Sequence, residues 1–212
     1  MSVNLSGGDI RKILIALTLY LTSLVASNTL GIKISPFLFG SHVSVSVLFF
    51  PFVFLTTDVI GEVYGKHLSK LFVLAGFVST ALFLLYSLAS LALPWAEAGQ
   101  WAQGGYDQMF GISVRIAIAS LLAFGVAEYQ DVLSFFFFRA RFGERFFWLR
   151  SLLSNVWSQF LDTIIFMAVA FFGVYDNRAL ITLILTWWLF KIVMGFLYTP
   201  LSYLGIRLLR RP

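Results

Sequence analysis

Residues 149–172 read LRSLLSNVWSQFLDTIIFMAVAFF, a long apolar run that also carries a row of polar side chains. As a helix with a rise of about 1.5 Å per residue, this run is long enough to cross about 30 Å of hydrocarbon. Its polar residues recur at helical spacing on one face, and they are Ser151, Asn155, Ser158, Gln159 and Asp162. Because lipid cannot bond to such a face, we expect it to point into a bundle of helices.

The composition of the whole chain leads to the same class of protein. Of the 212 residues, 59% are hydrophobic and 12% are charged, and the mean hydropathy is +0.88. A soluble domain carries about 25% charged residues, and a chain of this size still exposes roughly a third of its surface. These values exclude a soluble enzyme, a nucleic-acid binder and a disordered chain. The chain has no Cys, which excludes disulfides and Cys-based metal sites.

Five further apolar runs give six predicted membrane spans. The six runs are Ile13–Ile34, Val43–Ile60, Leu68–Leu93, Ile112–Phe138, Leu149–Phe172 and Ala179–Leu209. Helices are the expected form, because the alternating pattern of a membrane barrel is missing. We therefore predict an all-α fold, an integral membrane bundle of six transmembrane helices that forms a single domain over residues 1–212.

Basic residues divide the connections between spans into two sets. Eleven of the 15 Lys and Arg residues fall at the chain ends or after the second and fourth spans, whereas the opposite connections hold only Lys33 and Arg178. The positive-inside rule then places both termini in the cytoplasm. A cleaved signal peptide ending near Ala26 is the alternative, but the first run is long for one and its removal would leave five spans.

The second span carries two carboxylates spaced one helical turn apart. Asp58 lies deep in the run, and Glu62 lies close to the cytoplasmic interface, where a solvated helix end near Lys66 is the simpler interpretation. Pro51 is expected to bend the helix above them. An ionisable group at the centre of a bilayer costs about 2.5–3.5 kcal/mol, so Asp58 needs a partner or a cavity.

The fourth and sixth spans also hold ionisable residues. Arg115 and Gln130 share one side of the fourth span, and Glu128 and Asp131 share the other, so this helix is expected to be central. Lys191 lies within the sixth span and has two interpretations, a partner for a buried Asp or a contact to a ligand. If all the buried ionisable groups are charged, four carboxylates are opposed by only two cations, Arg115 and Lys191. The four carboxylates are Asp58, Glu128, Asp131 and Asp162. Such an excess favours a protonated carboxyl group or a donor-rich ligand.

No motif of an enzyme is present. His42 and His67 lie on opposite sides of the membrane in the predicted topology, so they cannot form a metal site together. The HExxH, GxSxG and Walker patterns are missing, and we predict no catalytic residue, metal or cofactor. Scattered polar groups of mixed type suit a small-molecule pocket better than a channel. The connection Pro94–Phe110 is rich in aromatic residues and is either an interfacial anchor or a lid.

Fragments from five spans carry a family resemblance. In chain order they are Ser27-Asn28, Phe50-Pro51-Phe52, Thr57-Asp58, Glu62-Val63-Tyr64-Gly65, Arg115 with Ser120-Leu121, Gln130-Asp131-Val132, Ser158-Gln159 and Asp162-Thr163. Together they resemble the YhhQ family, the queuosine precursor transporters of the vitamin uptake transporter group. The resemblance implies a bundle similar to the substrate-binding subunits of energy-coupling-factor transporters. It also implies uptake of cyano- and aminomethyl-deazaguanine across the bacterial inner membrane.

The first span departs from those subunits in one respect. They commonly show small residues spaced by four on this helix, whereas here Ala16 is followed by Tyr20, and Ala26 by Leu30. The departure favours a secondary transporter that works without an ATPase module. A vitamin-type binding subunit that needs a partner ATPase is the alternative, and a membrane scaffold protein is a third. The expected partners are the small deazaguanine base and the lipid bilayer, and no nucleic acid is expected. The sequence leaves open whether the protein forms a homo-oligomer.

For such a base we expect a pocket between the first, fourth, fifth and sixth spans. A midplane carboxylate suits the N–H donors of the base, amide and cationic groups suit its carbonyl oxygen, and aromatic rings suit its flat face. The predicted substrate-binding residues are Asn28, Arg115, Gln130, Gln159, Asp162 and Lys191, with Trp157 and Trp187 as stacking partners. Deeper toward the cytoplasm, we assign Asp58, Glu62 and Asp131 to gating or coupling.

Overall fold

A computed structural model describes residues 6–31, 33–36, 42–111, 114–144, 146–173 and 176–209. Within these residues the chain forms seven α-helices and one antiparallel hairpin. The elements are α1 (Gly7–Leu30), β1 (Ile34–Pro36), β2 (His42–Ser44), α2 (Phe50–Tyr64), α3 (Lys66–Ala92), α4 (Gln100–Phe110), α5 (Val114–Phe142), α6 (Phe147–Phe171) and α7 (Asn177–Leu209). Short 3₁₀ turns precede α2 and α4, at Val45–Leu48 and Glu97–Gly99.

Among the described residues, five helices are long and apolar enough to cross a membrane, and they are α1, α3, the part of α5 over Ile118–Phe142, α6 and α7. Large apolar side chains are exposed along α1, α3 and α7, among them Leu14, Leu74, Leu85, Phe196 and Leu197. Continuous apolar surface of this kind is a lipid-facing surface, since a soluble monomer rarely exposes so much. The protein is therefore a multi-pass membrane bundle, as the composition predicts.

The prediction of one helix over Val43–Ile60 is wrong. The alternating sequence HVSVSV begins in strand β2 and continues into the 3₁₀ turn, and the helix starts only at Phe50. Pro51 lies in the first turn of α2, where its missing N–H costs nothing, so it begins the helix instead of bending it. The resulting 15-residue helix is about 22 Å long, which is shorter than the hydrocarbon layer.

The short helix α2 lies inside the bundle. Every residue from Val53 to Gly61 is buried, and α2 packs against α1, α3, α5, α6 and α7. Tyr20 and Phe72 contribute to the same apolar cluster from α1 and α3, and Phe124 contributes from α5. The long helices thus form a wall around α2 and separate it from lipid, which places its carboxylate Asp58 in the protein interior.

Several helix boundaries differ from the predicted ones for local reasons. Helix α1 starts at Gly7 and not near Ile13, because Ser6 and Asp9 form a capping box: the Ser6 hydroxyl accepts from the Asp9 amide at 3.2 Å, and Asp9 accepts from the Ser6 amide at 2.9 Å. After α5, Gly143 takes a left-handed conformation with φ of +69°, which favours glycine and separates α5 from α6.

The connection Pro94–Phe110, for which an interfacial anchor and a lid were the two interpretations, is largely helical. It contains the 3₁₀ turn and the 11-residue helix α4, in which no residue is buried. Trp101 is 89% exposed, whereas Trp95 packs edge-on against Tyr106, and Tyr106 packs against Phe110. The aromatic cluster holds α4 against the end of α3, where Ser90 and the Tyr106 hydroxyl form a hydrogen bond.

The close packing of α1, α3 and α5 predicts a strong effect at Gly76. A Cβ atom there would lie 2.5 Å from the Tyr20 hydroxyl and 2.9 Å from Cζ of Phe124, two buried rings. We expect Gly76→Ala to lower the free energy of unfolding in mixed micelles by about 1–3 kcal/mol, because overpacking exceeds the gain in helix propensity. Gly195→Ala is the matched control, since its Cβ meets nothing within 4 Å. Equal stability of both variants would contradict this packing.

Candidate functional site

A cavity of about 660 Å³ lies between α1, α2, α3, α5, α6 and α7. At one end it is bordered by Gly31 after α1 and by Phe110 of α4, and at the other end by Ser151 of α6. Its volume falls within the range of small-molecule pockets, about 300–1,000 Å³. Most of the lining is apolar, and the aromatic part comprises Phe50, Phe54, Phe83, Phe110, Phe124, Phe166, Phe171, Trp187 and Phe190. A flat, mainly apolar ligand with a few polar edges would fit these walls.

The structure brings five of the eight predicted substrate-binding residues to this cavity. They are Asn28, Gln159, Asp162, Lys191 and Trp187. The cavity also takes residues from α2 and α3, which the predicted pocket did not include, such as Phe54 and Thr80. Helix α3 therefore contributes to the walls, although its lack of charge beyond Lys70 gave no reason to expect it.

Gln130 and Trp157 lie elsewhere, in a shallow groove between α5 and α6. Gln130 donates a hydrogen bond to Ser134 at 3.4 Å, and Trp157 is 47% exposed. The cause is the rotation of α5, whose buried face follows Ala127 and Glu128 and turns Gln130 away from the cavity. The backbone of Arg115 belongs to α5, but its side chain lies outside the residues whose side chains the structure describes.

An ion pair forms one wall of the cavity. Lys191 Nζ donates to Asp162 Oδ2 at 2.5 Å and to the Thr163 hydroxyl at 3.2 Å. The ammonium group also lies 5.5 Å from the centre of the Phe50 ring. This is the pairing of Lys191 with a midplane Asp that the sequence left open. The pair is largely buried, with side-chain exposures of 20% for Lys191 and 9% for Asp162, so each charge depends on the other.

Two further polar side chains beside this ion pair can form hydrogen bonds with a ligand. Gln159, one turn before Asp162, is buried, and within the described residues its Oε1 atom has no hydrogen-bond partner. Asn28 on α1 accepts a hydrogen bond from the Ser120 hydroxyl at 3.1 Å through Oδ1. An unpaired amide oxygen in a buried wall costs free energy unless a ligand or water bonds to it. Gln159 is therefore available to accept a hydrogen bond from a ligand.

The far end of the cavity contacts the carboxylate of α2. The Ser151 hydroxyl donates to Asp58 Oδ2, and Asn155 Nδ2 donates to the same oxygen at 3.5 Å and to Ser151 at 3.3 Å. Ser151 and Asn155 line the cavity, whereas Asp58 lies behind them and is buried. Occupancy of the cavity can therefore change the hydrogen bonds that Asp58 receives.

Asp131 and Glu128 complete a buried acidic cluster beyond this end of the cavity. Asp131 Oδ1 accepts from the Ser158 hydroxyl at 2.8 Å, and its carboxyl group is close enough to that of Asp58 to interact. Glu128 is fully buried one turn earlier on α5. From the sequence, Glu128 was counted among the buried charges but was given no role. Its position on the same helix face as Asp131 was the available clue.

A second buried ion pair closes the bundle at the junction of α2, α5 and α6. Arg150 is fully buried, and its Nη2 atom lies 3.0 Å from Glu62 Oε2 and 3.3 Å from the Glu144 carbonyl oxygen. Arg139 lies 3.7 Å from Glu62 and 2.7 Å from the Glu144 carboxylate. The guanidinium of Arg150 also stacks 5.3 Å from the Phe135 ring centre.

Two expectations are corrected by this contact. Glu62 is not a solvated helix end near Lys66, since its side chain is only 3% exposed. Arg150, which was counted among the basic residues that follow the fourth span, belongs to the first turn of α6, and its side chain points inward, where the Glu62 carboxylate offsets its desolvation. The pair ties α2 to α6 at the end of the bundle opposite Gly31.

We expect Glu62→Gln to lower the free energy of unfolding in mixed micelles by about 3–5 kcal/mol, because the buried Arg150 guanidinium loses its counter-charge. The matched control is Glu144→Gln, which also removes a carboxylate beside Arg139. The Glu144 side chain is 78% exposed, so this change should cost less than about 1 kcal/mol. Similar losses in the two variants would contradict a specific role for the buried pair.

Comparison with known proteins places the chain in a family. Residues 44–205 match the family described as "Putative vitamin uptake transporter". The relative in Bacillus subtilis (strain 168), named "Probable queuosine precursor transporter", is 32% identical over 167 residues, which cover 78% of this chain and 72% of the relative. The relative in Escherichia coli (strain K12), named "Queuosine precursor transporter", is 29% identical over 76% of this chain and 69% of the relative.

A third relative, from Haemophilus influenzae (strain ATCC 51907 / DSM 11121 / KW20 / Rd), is named "Probable queuosine precursor transporter" and is 28% identical over 76% of this chain and 61% of its own length. No solved structure matches the chain significantly. The family match covers α2 to α6, α7 as far as residue 205, the acidic cluster and the part of the cavity wall outside α1, and it confirms the resemblance found in the sequence. The chain belongs to the vitamin uptake transporter family, among the relatives of the queuosine precursor transporters.

Proposed function

We propose that this protein is a secondary transporter that imports queuosine precursors, the cyano- and aminomethyl-deazaguanine bases, across the bacterial inner membrane. The observation that carries the proposal is the cavity with a buried Asp–Lys pair and an unsatisfied Gln in its wall, within a family whose relatives are named for this cargo. No enzymatic role is needed to account for these residues.

The cavity chemistry suits a deazaguanine base. Asp162 can accept the ring and exocyclic N–H donors, and Gln159 can pair with a second edge through its unsatisfied Oε1 atom. Lys191 can offer a donor to the carbonyl oxygen when it shifts from Asp162. Trp187 and the phenylalanine walls present faces on which a flat base can stack, an interaction worth about 1–3 kcal/mol per base.

We therefore assign first contact with the base to Asn28, Gln159, Asp162, Lys191 and Trp187. Gln130 and Trp157 lie outside the cavity in this conformation and are left out of the set, whereas Arg115 stays a prediction. Asp58, Glu62 and Asp131 are assigned to gating or coupling, because they lie beyond the far end of the cavity and hold α2, α5 and α6 together.

We further propose six crossings, with both chain ends in the cytoplasm and the Pro94–Phe110 connection outside. Lys66 and Lys70 after α2 fall on the same side as Arg11 and Lys12 only if α2 returns the chain across the bilayer. Because α2 is enclosed by other helices, it need not match the thickness of the lipid. A reporter fused after Pro212 should report a cytoplasmic location, and a periplasmic result would reject this orientation.

The decisive experiment measures salvage of external precursor. In a bacterial host that lacks its own transporter and precursor synthesis, expression of this protein alone should restore queuosine in tRNA when either base is supplied. No restoration by a protein that reaches the membrane would contradict the proposed function. Restoration only after ATPase subunits are added would favour the vitamin-type binding subunit.

The second prediction separates binding from coupling. Asp162→Asn should weaken precursor binding to the purified protein by about 1.5–3 kcal/mol, because a hydrogen bond to a charged acceptor is lost. Asp58→Asn should leave binding largely intact and abolish uptake, since Asp58 lies behind Ser151 and Asn155. Calorimetry on purified variants that remain folded at the temperature of the titration measures the first effect.

Gln130→Ala is the matched control for this experiment, because Gln130 belonged to the sequence-based pocket but lies outside the cavity. Its affinity should equal that of the wild type. A loss of affinity in Gln130→Ala together with normal affinity in Asp162→Asn would show that the base binds elsewhere.

A further inference from the structure

Glu128 is the buried carboxyl group that receives the fewest stabilising contacts from the described part of the chain. It is 0% exposed, and neither of its oxygen atoms has a hydrogen-bond partner among the described residues. Thr57 lies beside it, but the Thr57 hydroxyl donates to the Phe54 carbonyl oxygen at 2.8 Å. The described ion pairs involve other carboxylates, namely Glu62, Glu144 and Asp162.

The groups around Glu128 do not offset a negative charge. Asp131 follows one turn later on α5, Asp58 approaches from α2, and Asp162 lies farther away on α6. From α1 comes Tyr20, which is also fully buried and whose hydroxyl has no hydrogen-bond partner in the described part of the chain. This hydroxyl is an independent sign that the polar space beside Glu128 is incomplete.

Among the described residues, cations of the helices packed against α5 are directed elsewhere. Lys12 of α1 donates to the Leu209 carbonyl oxygen, and Arg150 of α6 pairs with Glu62. On α3, Lys66 lies 5.8 Å from the Phe136 ring centre, and Lys70 lies 4.9 Å from the Tyr129 ring centre. On α7, Lys191 is paired with Asp162. No group of three or more His, Asp or Glu residues with the arrangement of a metal site occurs among the described residues. A bound proton is the simplest cation that can neutralise Glu128 here.

The energetic contrast with its two neighbours singles out Glu128. Asp58 receives hydrogen bonds from Ser151 and Asn155, and Asp131 receives one from Ser158, so donors are available to their charged forms. An ionised carboxylate without donor or counter-ion costs several kcal/mol in the interior of a membrane protein. The neutral acid avoids that cost.

We infer that Glu128 is the proton-carrying residue of the transport cycle, protonated in the conformation described and deprotonated when the bundle opens to the cytoplasm. The inference rests on the proposed function and adds its energy source. When water reaches Glu128 from the cytoplasmic side, the acid dissociates into a carboxylate and a proton that enters the cytoplasm. The empty bundle must then open to the outside, where a proton from that side neutralises Glu128 again before the bundle closes over the next base.

The cavity is linked to this site through two side chains. Ser151 and Asn155 line the cavity and donate to Asp58, whose carboxyl group faces that of Asp131, one turn from Glu128. A base that takes a hydrogen bond from Asn155 withdraws a donor from Asp58 and changes the charge balance of the whole cluster. Binding of the base and protonation of Glu128 are thereby coupled.

The test uses the full-length protein in proteoliposomes loaded without base. A labelled deazaguanine base should accumulate above its external concentration when the outside is acidic, and a protonophore should abolish the accumulation. A sodium gradient alone should have no effect. Glu128→Gln should lose gradient-driven accumulation and keep exchange of labelled for unlabelled base, because its amide mimics the neutral acid permanently. Glu97→Gln, in the exposed turn before α4, is the matched control and should behave as the wild type.

A spectroscopic measurement identifies the residue without relying on transport. The infrared spectrum of the purified wild type should contain the carbonyl band of a protonated carboxylic acid, and this band should disappear in Glu128→Gln. Calorimetry of base binding should show that this variant is folded. Retention of the band in Glu128→Gln would assign the proton to another residue and overturn the inference.

The remaining outcomes separate the two proposals. No uptake and no binding of the base by the wild type would reject the proposed function itself. Uptake that ignores the proton gradient, or that follows a sodium gradient, would reject proton coupling and leave the proposed function standing. Gradient-driven accumulation in Glu128→Gln would likewise reject Glu128 as the carrier.

Discussion

A carboxyl group that this chain buries must be paired with another part of the same chain or neutralised by a proton, because lipid offers neither charge nor hydrogen bonds. The polar face of α6 meets most of this requirement. Ser151 and Asn155 serve Asp58 of α2, Ser158 serves Asp131 of α5, and Asp162 pairs with Lys191 of α7. The arrangement fixes the rotation of α6 and gathers three other helices around it, so the cavity is a product of the same constraint.

The two buried ion pairs of the bundle differ in their access to a ligand. The Asp162–Lys191 pair lies in the cavity wall, where a ligand can compete for either charge, whereas the Glu62–Arg150 pair is sealed between α2 and α6. The Asp162–Lys191 pair can separate at a low free-energy cost, because a bound ligand can replace the hydrogen bonds that each side chain loses. The second must stay closed or open together with the surrounding helices, since separating buried charges without water is expensive.

The sequence predicted the inward face of α6 correctly because a polar stripe in an apolar helix has only one stable orientation. The sequence could not predict that the second span is a short buried helix. An apolar run has the same sequence pattern whether lipid or protein surrounds it, and only the packing of α2 distinguishes the two surroundings. Helix α5 is polar on two sides, so the sequence could not choose between the side of Gln130 and that of Glu128. The charge count likewise placed Arg150 among the basic residues after the fourth span, and the inward direction of its side chain was not predictable, because it depends on a residue distant in sequence, Glu62.

The enclosure of α2 has a consequence for how the protein responds to its membrane. Helices α1, α3 and α7 present their apolar side chains outward and adjust their tilt to the thickness of the bilayer, whereas α2 has no lipid contact along Val53–Gly61. A thicker or thinner membrane therefore acts on the outer wall of the bundle and reaches the central carboxylate only through side-chain packing. Lipid composition would tune the rate at which the wall rearranges, while the chemistry at the centre stays insulated from hydrophobic mismatch.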